Sequence, residues 1–154
     1  MKIRLGPSGI PLSCKCNSSI DGVKKVAELG LSAMEISFTH GIHMSLETSK
    51  ELGKVAKKLD VELSIHVPYF VNLASETKKI IEDSKRRIID SLERGVAMEA
   101  DIVAVHAGYY GKDKENATRM IFEACEEISN SIEKNDWNID FGLETMGKQK
   151  SWEL

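Results

Sequence analysis

The sequence predicts one α/β domain in which parallel strands alternate with amphipathic helices. Three observations support this: short apolar or β-branched runs alternate repeatedly with helical stripes, no Gly/Ser-rich linker or low-complexity stretch separates them, and 42% of the 154 residues are hydrophobic while 29% are charged. A chain of this length holds a core without a disulfide or a structural metal. The alternation allows either a doubly wound open sheet or a TIM barrel.

Five short segments are predicted as strands because each has an apolar centre, as in Ile102-Val103-Ala104-Val105. Nearly continuous apolar runs are typical of a parallel sheet that is buried on its faces. No Gly-x-Gly-x-x-Gly or Walker sequence follows any of these segments, so a nucleotide fold has no support. The predicted strands are residues 2–7, 33–38, 62–66, 101–106 and 139–144.

Four helices are predicted between the strands. The first covers residues 19–29 and stops at Gly30, because a glycine is favoured just past a helix end. The other three follow from apolar residues at helical spacing. Their stripes are Leu52, Val55, Ala56 and Leu59; Ile81, Ile88, Leu92 and Val96; and Ala117, Met120, Ile121, Ala124, Cys125, Ile128 and Ile132.

Charge, hydropathy and cysteine content limit the class of protein. The net charge is −3, so nucleic-acid binding would need a local basic face. No apolar run reaches the roughly 18 residues of a membrane span, and the strand-like start is unlike a signal peptide, so a cytoplasmic protein that does not enter membranes is expected. Cys14 and Cys16 miss the common redox and zinc spacings and are expected to be free thiols. Cys125 is expected to act as a small hydrophobic residue.

Two imidazoles and one carboxylate end consecutive predicted strands. His66 ends the third, His106 the fourth and Glu144 the fifth. In a barrel these ends meet at one mouth, where active sites of this architecture are built. A single histidine at a strand end more often bonds the backbone, but two histidines and a glutamate in register predict a zinc or manganese site. Water on such an ion becomes a nucleophile near neutral pH.

Other side chains are predicted to lie around the same mouth. Tyr69 and Phe70 follow His66 and can stack on a base or wedge a duplex step. The alternative is that Phe70 and Leu73 cap the barrel end. Lys148 and Lys150 follow the fifth strand and can meet phosphates.

With these residues assembled, the sequence resembles endonuclease IV, the zinc-dependent apurinic/apyrimidinic endonuclease family of the xylose-isomerase-like TIM barrels. The matching segments are His66-Val67-Pro68-Tyr69-Phe70-Val71-Asn72-Leu73, Val105-His106-Ala107-Gly108 and Leu143-Glu144-Thr145-Met146-Gly147-Lys148-Gln149. The resemblance implies that residues 1–154 are a single domain, the N-terminal part of a TIM (β/α)8-type barrel. A complete barrel has eight strands and typically about 250 residues, so this chain covers about the first five strands and four helices.

The resemblance also implies an activity, hydrolysis of the phosphodiester 5′ to an abasic site in double-stranded DNA. His66, His106 and Glu144 are then ligands of zinc or another divalent metal such as manganese, and Glu144 is catalytic because it bridges two metals. Tyr69 and Phe70 belong to a loop that enters the duplex at the lesion. Lys148, from its position after the fifth strand, is the predicted DNA contact beside them.

Two other interpretations stay open. The first is a sugar or sugar-phosphate isomerase or epimerase on the same barrel, in which a metal holds vicinal oxygens and a carboxylate moves a proton. The second is an inactive truncated fragment. Because five strands cannot close a barrel, the open sheet edge must be covered, either by more of the same chain or by a second copy in a homo-oligomer.

Overall fold

Four parallel strands form one sheet in the computed structural model, which describes residues 3–145. The strands lie in the sheet in the same order as in the chain, as they do in a barrel, whereas a doubly wound sheet reverses its order at a switch point. The fold is therefore part of a TIM-barrel-like α/β structure. The elements are α1 (Ser19–Glu28), β1 (Ala33–Ser37), α2 (Leu46–Lys58), β2 (Glu62–His66), α3 (Lys78–Ala97), β3 (Ile102–Val105), α4 (Lys114–Lys134) and β4 (Asp140–Leu143).

The two faces of the sheet differ in polarity. Alternate strand residues such as Met34, Ile65 and Val103 are buried in the core. They pack with the apolar stripes of the helices, including Leu92, Ile121 and others predicted from sequence, in one hydrophobic cluster. The intervening residues lie on the opposite face, which in a closed barrel is the interior. On that face the strands carry Glu35, Ser37, Ser64, His66 and Ala104.

The prediction of a first strand at residues 2–7 is wrong for the residues that the structure describes. The described part of this segment, from residue 3, forms no strand. The next residue, Ser8, forms one isolated bridge with Glu35 of β1. Leu5 and Pro7 do accept hydrogen bonds from the amides of Ala33 and Glu35, at 3.1 and 3.0 Å. A continuous ladder fails because proline has no amide hydrogen to donate.

The other predicted strands and the four helices are present in the structure. The fifth predicted strand is β4, and it ends one residue before Glu144. Side-chain oxygens of Ser18, Ser45 and Asp113 accept backbone N–H groups at the starts of α1, α2 and α4, which satisfies donors that a helix leaves free. Within residues 3–145, none of the helices combines the length and the apolar content needed to cross a bilayer.

The cysteine prediction is half right. Cys14 and Cys16 are joined by a disulfide across one residue, with their Cα atoms 5.3 Å apart, so the expectation of free thiols at these positions is wrong. The spacing rules that suggested free thiols describe common motifs and do not exclude a short-range bridge. Cys125 is a free cysteine on α4 that packs against the core, as predicted. Burial raises the pKa of its thiol to about 11.

Candidate metal centre

The parallel register brings His66, His106 and Glu144 together at the carboxyl end of the sheet. His66 is the last residue of β2, while His106 and Glu144 each follow directly after the last residue of β3 and β4. The backbone continues to pair past the strand ends, since the amide of Glu144 donates to the carbonyl of Val105 at 2.9 Å. Each side chain is therefore held by an element that is itself part of the sheet, which is how a rigid site is positioned.

The three side chains converge on a small volume. The Nε2 atom of His66 lies 3.1 Å from Oε2 of Glu144, and Nε2 of His106 lies 3.9 Å from the same oxygen. One ligand atom from each residue lies within 4.8 Å of the other two. The two imidazole rings are tilted with their centroids 4.9 Å apart. The structure thus brings together all three residues predicted to hold a metal.

Hydrogen bonds on the far side of each ring determine which nitrogen faces the group. The Nδ1 atom of His66 bonds the carbonyl of Val67 at 2.9 Å, and that of His106 bonds the carbonyl of Glu144 at 3.1 Å. A carbonyl oxygen only accepts, so both Nδ1 atoms carry the hydrogen and donate. In the neutral form of each ring, Nε2 then carries the lone pair, and this atom faces the carboxylate.

This arrangement needs a positive charge between the three groups. Two nitrogen lone pairs and a carboxylate oxygen are all acceptors, and acceptors at these distances repel one another unless a proton or a cation lies between them. Two neutral imidazoles and one carboxylate are a donor set that suits zinc and other divalent transition metals. The three residues are therefore a possible metal-binding group.

The loop after β2 places the predicted aromatic pair in solvent. Tyr69 and Phe70 are each 63% exposed, and the Tyr69 ring lies 6.1 Å from that of His66. Leu73 is completely buried. Of the two residues that the alternative interpretation assigned to the barrel end, Leu73 is thus part of the core and Phe70 is exposed.

Several backbone contacts hold this loop in place. The amide of Leu73 donates to the carbonyl of Ala107 at 2.8 Å, and the amide of Asn72 donates to Oγ of Ser84 at 3.0 Å. The loop is therefore tied both to the segment after β3 and to α3. Lys148 and Lys150, the predicted phosphate contacts, lie outside the described residues.

Sequence reasoning missed two features near the group. Glu35, on the polar face of β1, accepts hydrogen bonds from Ser8 (2.5 Å) and Ser37 (3.3 Å), and Ser37 is the register partner of His66. The alternation Met34-Glu35-Ile36 was the available signal, since it places a carboxylate on the face opposite the helices. The second feature is Tyr109, which is 55% exposed on the loop after His106.

Comparisons with known proteins agree with the fold. A family model described as xylose isomerase-like TIM barrel matches residues 23–153. An uncharacterized protein of Methanocaldococcus jannaschii is 30% identical over 144 residues, which are 93% of this chain and 51% of that protein. The chain spans about half the length of the curated relatives that it matches.

Two solved structures are similar over most of the chain. A D-tagatose 3-epimerase-like protein is 26% identical with a TM-score of 0.71, and the match covers 83% of this chain and 49% of that one. Endonuclease IV from Thermus thermophilus is 21% identical with a TM-score of 0.63, and the match covers 86% of this chain and 49% of that one.

Proposed function

Because this chain belongs to the xylose isomerase-like TIM barrel family, whose model matches residues 23–153, we propose that it is part of a metal-dependent endonuclease acting at abasic sites in double-stranded DNA. The observation that carries the proposal is the convergence of three acceptor atoms from His66, His106 and Glu144, with both Nδ1 hydrogens already bonded to carbonyls. Two exposed aromatic side chains on the loop that follows His66 support the endonuclease proposal over a metal site for a small substrate.

The donor set fits zinc, and manganese is the alternative. A bound divalent ion would supply a Lewis acid for the phosphoryl oxygen and would make a bound water more acidic. His66 and His106 would hold it through Nε2, while their Nδ1 hydrogens stay on backbone carbonyls and fix the ring orientation. Glu144 would be a ligand and the catalytic carboxylate, because its half-exposed side chain has oxygen surface left for a second ion or a water.

The substrate contacts follow from the loops. Tyr69 and Phe70 present their rings to solvent next to His66, so they would stack on bases that flank the lesion or wedge the duplex there. Lys148 follows Glu144 by four residues in the sequence and would contact a backbone phosphate. The rest of the barrel wall, supplied by further chain or by a second copy of this chain, would cover the open edge of β4.

Incision of a duplex carrying one tetrahydrofuran abasic analogue tests the proposal. We expect the whole protein, loaded with zinc, to cut this duplex and to lose the activity in a strong chelator. His106→Ala is expected to lower incision by about 100-fold or more and to lower the number of zinc ions bound, because it removes a ligand but little of the core. His40→Ala, an exposed histidine on the loop after β1, serves as the control.

A wild-type protein that binds zinc but leaves the abasic duplex intact would overturn the endonuclease proposal. Unchanged zinc binding by His106→Ala would instead show that His106 is not a zinc ligand and would overturn the assignment of the metal site.

A second candidate function is epimerisation or isomerisation of a sugar or sugar phosphate. The observation in its favour is the 26% identity to a D-tagatose 3-epimerase-like protein, whose TM-score of 0.71 exceeds that of the endonuclease. In this case the metal group would hold vicinal sugar oxygens and a carboxylate would move the proton. Exchange of a substrate C–H hydrogen with deuterated solvent, measured over a panel of ketoses, would support this candidate and disfavour the endonuclease.

A further inference from the structure

The same five-residue pattern begins at each of the two candidate histidine ligands, which lie at the carboxyl ends of neighbouring strands. His66 begins His66-Val67-Pro68-Tyr69-Phe70, and His106 begins His106-Ala107-Gly108-Tyr109-Tyr110. Each histidine is followed after three residues by a tyrosine and after four by a second aromatic residue. Because β2 and β3 are parallel neighbours, the two segments leave the same edge of the sheet side by side.

The second segment turns one tyrosine inward and the other outward. Tyr110 is half-buried and packs against the core, with Nζ of Lys114 4.6 Å from its ring centroid. Tyr109 is 55% exposed. The inward ring anchors the loop, so the exposure of Tyr109 follows from the local packing.

The backbone on the other side of Tyr109 is also fixed. Ala107 accepts a 2.8 Å hydrogen bond from the amide of Leu73. Gly108 has a φ of +144°, and a Cβ atom there would lie 2.5 Å from Oδ1 of Asn72. The segment that carries Tyr109 is thus packed directly against the loop that carries Tyr69.

Exposed aromatic rings are concentrated at this edge. In residues 3–145, four aromatic side chains are largely exposed: Tyr69, Phe70, Tyr109 and Phe122. The first three lie on the two loops that follow His66 and His106, whereas Phe122 lies on α4. Three exposed apolar rings on two adjoining loops concentrate apolar surface in one place, which is typical of a binding surface.

We propose that Tyr109 is a second stacking contact for the DNA, acting beside Tyr69 and Phe70 through its ring face. Every base presents a π-face, so aromatic rings on neighbouring loops can hold successive nucleotides without reading their sequence. The inference rests on the proposed function, because it assigns a further substrate contact to the same site. It predicts that the ring of Tyr109 matters for binding and that its hydroxyl group does not.

The test measures binding and incision separately in the whole zinc-loaded protein. Binding is measured by fluorescence anisotropy with a fluorescein-labelled tetrahydrofuran duplex whose phosphodiester at the lesion is replaced by an uncleavable linkage. Incision of the normal duplex gives KM and kcat. Tyr109→Ala is expected to raise Kd and KM about tenfold with little change in kcat, the range found when one stacked ring is removed.

Two matched variants separate stacking from other effects. Tyr109→Phe keeps the ring and is expected to bind within about twofold of the wild type. Phe122→Ala removes an equally exposed ring from α4 and is expected to change nothing. Thermal unfolding of all variants should match the wild type, because an exposed ring contributes little to the core.

The outcomes distinguish this inference from the proposed function. Incision by the wild type with unchanged Kd and KM in Tyr109→Ala would overturn the role of Tyr109 and leave the endonuclease intact. Tyr109-dependent binding without incision would support the contact and overturn the endonuclease. Absence of any binding by the wild type would overturn both.

Discussion

At the scale of single residues, Glu144 makes two separate kinds of contact in the candidate metal centre. Its backbone carbonyl accepts the Nδ1 hydrogen of His106, and its carboxylate faces Nε2 of both histidines. The first contact orients a ring, and the second supplies the negative charge that a divalent cation requires. A substitution can therefore remove the charge while it keeps the orienting bond.

Glu144→Gln is expected to weaken zinc binding by at least about tenfold without lowering thermal stability. The amide side chain is neutral, but the carbonyl that holds His106 belongs to the backbone and remains. Zinc affinity is measured by competition with a chromophoric chelator, and unfolding is measured without metal. Glu126→Gln, on the solvent side of α4, removes the same charge as a control. Equal zinc affinity in Glu144→Gln and the wild type would show that the carboxylate is no ligand.

At the scale of elements, all four helices end in the same way. The residue after each C-cap has a positive φ: Gly30 at 72°, Asp60 at 55°, Glu99 at 56° and Asp136 at 51°. This conformation ends a helix and turns the chain back toward the next strand. Glycine is the usual residue at this position and aspartate adopts the conformation more readily than most side chains, whereas the glutamate at position 99 gives no such signal in the sequence.

Helix α2 packs unusually close to the end of α3. A Cβ atom on Gly53 would lie 2.4 Å from the carbonyl oxygen of Met98, and backbone atoms cannot move aside cheaply. Gly53→Ala is therefore expected to lower the free energy of unfolding by about 1–3 kcal/mol, measured by urea denaturation, although alanine is the better helix former.

Gly22→Ala on α1 is the matched control for Gly53→Ala. Its Cβ atom would meet the terminal methyl of Met34 at 2.9 Å, and that flexible side chain can shift. We expect a smaller loss at Gly22 than at Gly53. Equal losses at the two positions would contradict the close-approach argument.

At the scale of the whole molecule, the two ends of the sheet carry different groups. The carboxyl end holds the histidines and Glu144, whereas the amino end collects the carboxylates of Glu62, Asp101 and Asp140 together with the Arg4 guanidinium. Arg4 bonds Glu62 at 2.7 Å and Asp60 at 2.8 Å, so it also ties the N-terminal segment to the start of β2. In barrels the amino end contributes to stability and the carboxyl end to function.

Charge at the amino end makes stability depend on pH. Partial burial, then repulsion from Glu62 and Asp140, raises the pKa of Asp101 above its ordinary 3.8, and Arg4 offsets part of this effect. A raised native pKa means that protonation favours the folded state. This contribution is therefore complete below the unfolded pKa and is lost as pH rises through the native value.

Asp101→Asn mimics the protonated side chain. We expect it to raise Tm at pH 7 and to lose this advantage as the pH falls through the raised native pKa and below the ordinary value of 3.8, because the wild-type aspartate is then protonated in both the folded and the unfolded state. Calorimetric scans at several pH values measure the difference. Glu51→Gln, a solvent-facing change on α2, is the control. A Tm advantage that stays constant with pH would contradict this origin.

Sequence patterns by themselves determined the alternation of strands and helices, the apolar stripes, and the position of His66, His106 and Glu144 at the ends of consecutive strands. These properties are local or repeat with the period of a strand or helix, so they can be seen along the chain. They were enough to predict the edge of the sheet that carries the site.

Only the tertiary structure decided which atoms face one another there. The orientation of each imidazole depends on a carbonyl of Val67 or Glu144, and the outward turn of Tyr109 depends on the inward packing of Tyr110 and on contact with Asn72. Most of these contacts join residues that are far apart in sequence, and no local pattern records such contacts.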